Sequence, residues 1–180
     1  MIKNLNRQGK NEKGIQRKAL RNGWIVSAAA MVFALTLALT ACSSGKEAGA
    51  KQPAVQKDQD VILPVAEISE TATFYPVEVD GTSLEIIAVK AGDGTIRTAF
   101  NTCQVCYDSG KGYYQQQGDA LVCQNCGNQF SMSQVEVAAG GCNPWPIFAD
   151  NKTVTADSIT IPYDFLKEST GIFSNWKGSY

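Results

Sequence analysis

Residues 103–127 read CQVCYDSGKGYYQQQGDALVCQNCG, and this stretch decides which fold and chemistry we expect of the chain. It contains two Cys-x-x-Cys pairs, Cys103 with Cys106 and Cys123 with Cys126, separated by sixteen residues. Two cysteines three positions apart on a tight loop can aim both sulfurs at one ion, and two such loops complete a tetrahedron. The spacing therefore predicts a four-thiolate metal site.

Two other interpretations of these cysteines stay open. Exported proteins live in oxidising surroundings and form structural disulfides there, although adjacent pairs make strained, reducible bridges. A catalytic dithiol of thioredoxin type normally follows a strand and opens a helix, but neither pair here is followed by a helical pattern. A fifth cysteine, Cys142, lies in a loop rich in Gly and Pro. It is either a buried small residue or a further thiolate beside the site.

The chain has no histidine among its 180 residues. This absence excludes Ser-His-Asp and Cys-His enzymes, His-ligated zinc catalysis and His-ligated haem, because each needs an imidazole. Four thiolates suit an iron–sulfur cluster, zinc or a single rubredoxin-like iron, and copper(I) also binds thiolates. No substrate pocket can be argued from the sequence, so we expect an electron carrier or a metal-binding protein rather than an enzyme.

The sequence around the cysteines is rich in strand patterns. Two alternating apolar segments, 73–79 and 84–89, flank Asp80-Gly81, which is a hairpin signal. Further strands are predicted at 95–100, 113–116, 120–123 and 158–162, and only 163–169 has the pattern of a short helix. The sequence therefore predicts an all-β or β-dominated domain over residues 61–180, with two cysteine-bearing loops.

The N-terminus has the features of an export signal. Seven basic residues and one acid precede Trp24, and residues 24–41 form an uncharged apolar stretch. Eighteen residues is also the lower limit for a helix that spans a bilayer, so a retained membrane helix is the alternative. Leu39-Thr40-Ala41-Cys42 resembles a bacterial lipobox, in which the cysteine is lipidated and becomes the new N-terminus. We therefore predict a lipoprotein signal peptide at 1–41 and a lipid anchor on Cys42.

The charge distribution places the rest of the protein outside the cytoplasm. The positive excess before the apolar stretch keeps the N-terminus inside, so the body faces the outer side of the cell membrane. Residues 42–60 contain Ser, Gly, Ala, Lys, Gln and Asp with few apolar residues, which predicts a flexible tether. From Cys42 onward the chain has nine basic and sixteen acidic residues. An acidic body does not attract phosphate backbones, so we expect no nucleic-acid partner.

The order of the motifs resembles the Rieske iron–sulfur fold. A first ligand loop, sixteen residues, a second loop ending near Phe130 and a later Gly/Pro-rich loop follow one another in both. Cys106 and Cys126 stand where the Rieske histidines would be, so the chain cannot hold a true Rieske centre. We expect a small Rieske-like or rubredoxin-like β-sandwich or barrel.

The full motif set resembles the FtrD-like membrane iron–sulfur domain. The motifs are Cys-x-x-Cys-Tyr at 103–107, Gly-Tyr at 112–113, Cys-x-x-Cys-Gly-x-x-Phe at 123–130 and Gly-Gly-Cys-Asn-Pro-x-Pro-Ile at 140–147. The resemblance covers about residues 64–162. It implies iron–sulfur binding at the membrane, in some members associated with ferrous iron uptake and electron transfer. A membrane redox or iron-transport partner would follow from that role.

Overall fold

The computed structural model describes residues 52–137 and 139–178. This part of the chain is dominated by β-structure, as predicted, with eleven strands in three sheets and one short α-helix. The strands and the helix are β1 (Gln56–Lys57), β2 (Val61–Pro64), β3 (Thr73–Val79), β4 (Thr82–Lys90), β5 (Ile96–Cys103), β6 (Tyr114–Gln117), β7 (Ala120–Cys123), β8 (Gln129–Ser131), β9 (Pro144–Pro146), β10 (Thr153–Val154), β11 (Ser158–Ile161) and α1 (Tyr163–Glu168).

The central sheet has five strands in the order β1-β3-β4-β5-β9. The predicted hairpin joins β3 to β4, with Asp80 at φ 47° and Gly81 at φ 79°. Both turn residues have positive φ, which matches the right-handed twist of the flanking strands. Every residue from Leu84 to Val89 in β4 is buried, because both faces of this strand are covered.

Each face of the central sheet packs on its own hydrophobic cluster. On one face, Leu84, Ile86 and Ala88 pack with residues of β2, β11 and α1. On the opposite face, Ile87 and Val89 pack with residues of β6, β7 and β8 and with three of the cysteines. The side-chain alternation of β4 thus separates a purely structural core from a core that includes the thiols.

Several short strands were not predicted from the sequence. β9 contains Pro144 and Pro146, which argue against a strand, but β9 is an edge strand, where a missing N–H is tolerated. β1 pairs in parallel with β3 through Gln56 and Lys57, inside the segment 42–60 that we expected to be a tether. The ordered sheet therefore begins before Val61.

Two sequence predictions fall on residues that the structure does not describe. The export signal at 1–41 and the lipidated Cys42 both lie outside 52–178. Among the described residues, no helix is long and apolar enough to cross a membrane. The resemblance to Rieske or rubredoxin loops stays a prediction, while the β-dominated fold is confirmed.

Candidate metal centre

The first cysteine loop continues directly from β5. Cys103 is the last residue of that strand, and its backbone N–H donates to the Gly112 carbonyl at 2.7 Å. A 3-10 turn at Tyr107–Ser109 follows Cys106, and the Ser109 N–H donates to the Cys106 carbonyl at 3.1 Å. These bonds fold residues 103–112 into a closed loop that carries two thiols on rigid backbone.

The second cysteine loop begins at the end of β7. The N–H of Cys123 donates to the Asn128 carbonyl at 3.0 Å, and the N–H of Gly127 donates to the Cys123 carbonyl at 2.9 Å. Gly127 has φ 72°, a conformation that glycine adopts without steric cost, so the chain can turn immediately after Cys126. The Gln124 N–H donates to the Tyr113 carbonyl at 2.9 Å and ties this loop to the residue before β6.

A third loop brings Cys142 to the same end of the domain. Gln104 holds this loop through three contacts. Its backbone N–H donates to the Asn143 carbonyl at 3.1 Å, its side-chain oxygen accepts from the Gly140 N–H at 2.8 Å, and its side-chain amide donates to the Pro144 carbonyl at 3.4 Å. Because Gln104 lies between Cys103 and Cys106, the first loop positions the third one.

All five cysteines of residues 52–178 gather at one site as two triads that share a member. The sulfurs of Cys103, Cys106 and Cys123 lie within 4.8 Å of one another, and so do those of Cys106, Cys126 and Cys142. The inner triad is buried, whereas Cys126 is exposed and Cys142 is half-buried. The structure brings the two predicted pairs together and adds Cys142 to them, while their role as metal ligands stays a prediction.

The inner triad has unequal proton affinities. Burial raises the pKa of Cys103, but hydrogen bonds from Tyr114 and from the backbone N–H groups of Val105 and Cys106 outweigh it and lower the pKa below its ordinary value. Burial raises the pKa of Cys106, and it raises the pKa of Cys123 to about 12. Cys103 is therefore the inner thiol whose surroundings most favour the thiolate, which is the form that binds metals.

The outer thiols differ in the same way. A backbone N–H from Asn128 lowers the pKa of Cys126. The hydrogen bond with Cys126 raises the pKa of Cys142 to about 11. Each triad thus has one sulfur at which negative charge is favoured.

The chemistry of the donor set is uniform. In a chain without histidine, two thiol triads that share Cys106 form a soft donor set that fits zinc, copper(I), iron or an iron–sulfur cluster. Hard cations such as Mg²⁺ and Ca²⁺ prefer oxygen ligands, so they do not fit. The residues present therefore fit an iron–sulfur group.

A buried polar network behind the inner triad was missed from the sequence. The Tyr114 hydroxyl donates to the Cys142 carbonyl at 2.7 Å, and it lies close enough to Cys103 to lower the pKa of that thiol. The Tyr114 N–H donates to the Asn101 side-chain oxygen at 2.6 Å, and the Asn101 amide donates to Glu85 at 2.5 Å. The available signal was Glu85, a charged residue inside the apolar run of β4.

The aromatic residues near the loops have two roles. Phe130 is buried in the cluster that includes the thiols. Tyr107 and Trp145 make an edge-to-face pair with ring centroids 5.9 Å apart, which connects the first loop to β9. Tyr107 and Trp145 are partly buried.

No curated protein and no solved structure matches the chain. A family model described as "Membrane iron-sulfur containing protein FtrD-like" matches residues 68–173, which is 106 of the 180 residues. The matched range begins before β3, ends beyond α1 and includes all five clustered cysteines. The chain therefore belongs to the FtrD-like family of membrane-associated iron–sulfur proteins.

Proposed function

We propose that this protein is a membrane-anchored carrier of single electrons whose iron–sulfur cluster is held by Cys103, Cys106, Cys123 and Cys126, with Cys142 beside them. The observation that carries the proposal is the convergence of the two Cys-x-x-Cys loops on one thiol site in a chain of this family. When bound, such a cluster supplies reversible one-electron chemistry.

The surrounding protein supplies rigidity and charge stabilisation. The three loops are fixed to β5, β7 and β9 by backbone hydrogen bonds, so the thiols change position little when charge is added. Hydrogen bonds at Cys103 and Cys126 stabilise negative charge on sulfur. The exposed Cys126 offers the shortest route between the site and a partner at the surface.

The proposed setting is the outer face of the cytoplasmic membrane. The lipobox at 39–42 supports an anchor on Cys42, and the basic residues before Trp24 support an extracytoplasmic body. A membrane redox protein or an iron-transport protein is the proposed partner, with a link to iron uptake that rests on the family resemblance.

The test is the composition of the full chain purified anaerobically from membranes. We expect iron and acid-labile sulfide in comparable amounts, a visible chromophore, and a paramagnetic resonance signal in one of two redox states. The Cys106→Ser variant, purified in parallel, should contain little of either element. Iron without sulfide would contradict the cluster and indicate a single-iron site.

A metal-delivery protein without redox turnover is the second candidate. The observation that favours it is the accessibility of the outer triad, since Cys126 is exposed and Cys142 half-buried. Exposed thiolates exchange metal with a partner more readily than buried ones. A colourless, redox-silent protein with bound zinc would support this function and contradict electron transfer.

A further inference from the structure

Glu85 is a carboxyl group placed deep in the sheet on the side of the thiols. It is 5% exposed, and it lies in β4 two positions before Ile87, which packs in the cluster that includes the cysteines. Burying a carboxylate is costly unless its charge is stabilised or it holds a proton. A purely structural core would place an apolar residue here, as β4 does at its neighbouring positions.

A chain of hydrogen bonds joins Glu85 to the thiol site. One carboxyl oxygen accepts from the Asn101 amide at 2.5 Å. The Asn101 side chain makes two hydrogen bonds with the backbone of Tyr114. Its oxygen accepts from the Tyr114 N–H at 2.6 Å, and its amide donates to the Tyr114 carbonyl at 3.2 Å. The Tyr114 side chain then leads to the thiol site, where its hydroxyl donates to the Cys142 carbonyl at 2.7 Å. Only Asn101 and Tyr114 stand between the carboxyl group and the inner triad.

A cavity of about 730 Å³ opens beside Glu85. Its walls include Glu85, Asn101 and Tyr114, and it extends to exposed residues such as Thr71 and Gln115. A cavity of this size that opens to solvent and carries polar groups such as Glu85 and Asn101 has room for water. Among residues 52–137 and 139–178, the second carboxyl oxygen of Glu85 has no hydrogen-bond partner, which leaves it available to water in the cavity.

The charged groups around Glu85 do little to stabilise its ionised carboxylate. The cavity walls that the structure describes contain one other carboxylate, Glu67, and no lysine or arginine. The other titratable residues in these walls are Tyr113 and Tyr114. On the same face of the sheet, β3 contributes Glu78, which pairs with Ser83 and whose charge is balanced by Lys57 at 2.6 Å. Burial raises the pKa of Glu85, and the hydrogen bond from Asn101 offsets only part of that effect.

We propose that Glu85 takes up one proton from the cavity water when the centre held by the cysteines accepts one electron from a one-electron donor, the membrane redox protein proposed above. The step is balanced: the oxidised centre, an electron, the Glu85 carboxylate and a proton give the reduced centre and the Glu85 carboxylic acid. An added electron places negative charge at the thiol site on the same face of the sheet, and proton uptake by the carboxylate reduces the resulting repulsion. This inference rests on the proposed electron-transfer function.

The test is the midpoint potential of the holoprotein measured over a range of pH with dithionite and ferricyanide as titrants. If proton uptake is coupled to reduction, the midpoint potential falls as pH rises. The fall occurs between the pKa of Glu85 in the oxidised protein and its pKa in the reduced protein. For one electron and one proton, each tenfold change in proton concentration shifts the potential by at most about 59 mV. Glu85→Gln keeps an acceptor for Asn101 and cannot titrate, so its potential should be flat over that range.

The matched control is Glu67→Gln, which removes the exposed carboxylate of the same cavity and should keep the slope. Redox difference infrared spectra of the unaltered protein provide a second measurement that needs no variant, because a carboxylic-acid band should appear on reduction. A redox-active protein with a flat profile, or a slope that persists in Glu85→Gln, would overturn the coupling and leave the electron carrier intact. A redox-silent protein would overturn both.

Discussion

Cys106 is the residue on which the whole site depends, because it is the thiol common to both triads. Cys103 and Cys123 complete the inner triad, and Cys126 and Cys142 complete the outer one. Removing Cys106 therefore breaks both sets at once, whereas removing Cys142 leaves the four thiols of the two Cys-x-x-Cys loops.

The first prediction compares these two positions. Substitutions of residues that only support metal ligands weaken metal binding by roughly 10–100-fold. We expect Cys106→Ser to weaken metal binding by more than this. Cys142→Ser should keep most of the metal, and the variants of Cys103, Cys123 and Cys126 should resemble Cys106→Ser. Each variant is treated with the same chelator, and the metal that remains bound gives the order of metal retention. If Cys142→Ser alone strips the metal, the four-cysteine ligand set is wrong.

The second prediction concerns Tyr114, whose hydroxyl contacts the Cys103 sulfur and the Cys142 carbonyl. Tyr114→Phe removes the hydroxyl that stabilises negative charge on the Cys103 sulfur. The reduced state carries more negative charge, so it loses more stabilisation than the oxidised state. A hydrogen bond of this kind contributes about 1 kcal/mol, which for one electron lowers the midpoint potential by about 40 mV. Potentiometry at fixed pH measures the shift, with Tyr113→Phe as control. An unchanged or raised potential would show that the hydroxyl does not stabilise the reduced site.

At the scale of single elements, close backbone contacts within the loops hold the thiols in position. In the first loop, a Cβ atom at Gly112 would lie 2.8 Å from the Cys106 carbonyl carbon and oxygen. Real Cβ atoms essentially never approach backbone that closely, so the position requires glycine. The opposing atoms belong to Cys106, one of the proposed ligands, so any shift there moves its thiol.

The third prediction follows from this close approach. Gly112→Ala should destabilise the fold by about 1–3 kcal/mol and lower metal content, because the loop must open to admit the methyl group. Gly92→Ala is the matched control, since a Cβ there meets nothing within 4 Å and no left-handed backbone is required. Thermal unfolding and iron content measured on both variants give the comparison. Equal thermal stability and equal iron content in the two variants would contradict a tightly closed loop.

The elements also show how far the sequence could predict the structure. The segments of β3 and β4 were predicted nearly to their ends, because local pattern and burial agree there. For β5 the prediction of 95–100 stops three residues short of Cys103. β9 was missed because Pro-Trp-Pro is a poor strand sequence that pairs only at an edge. The position of Cys142 depends on that pairing and on the contacts of Gln104, so local pattern could not supply it.

At the scale of the whole molecule, the chain has a basic start and an acidic body, and this asymmetry supports an anchored extracytoplasmic protein. The fourth prediction is that the mature chain begins at Cys42 and bears lipid. Intact mass of the membrane-extracted protein should show residues 1–41 removed and acyl chains added. Cys42→Ser should keep its N-terminal segment and gain no acyl mass. An unlipidated mature chain that starts at Met1 would contradict the anchor.

The fifth prediction is the midpoint potential, which depends on ligands and total charge together. A Rieske centre has two neutral imidazoles and a potential of about −150 to +300 mV, whereas plant-type all-cysteine centres lie near −400 mV. Here the chain has no histidine, and the region from Cys42 onward has an excess of seven acidic residues. Each added thiolate makes a further electron more costly, and the acidic body acts weakly in the same direction because solvent and salt screen it.

The hydrogen bonds at Cys103 and Cys126 oppose this trend, but they offset part of a charge rather than the two full charges that separate four thiolates from the Rieske set. We therefore expect a two-iron centre in this protein to be a low-potential carrier, close to the plant-type value. Potentiometric titration followed by paramagnetic resonance gives the measurement, and raised salt should move the potential only slightly. A midpoint above about −150 mV would mean that local hydrogen bonding outweighs ligand charge.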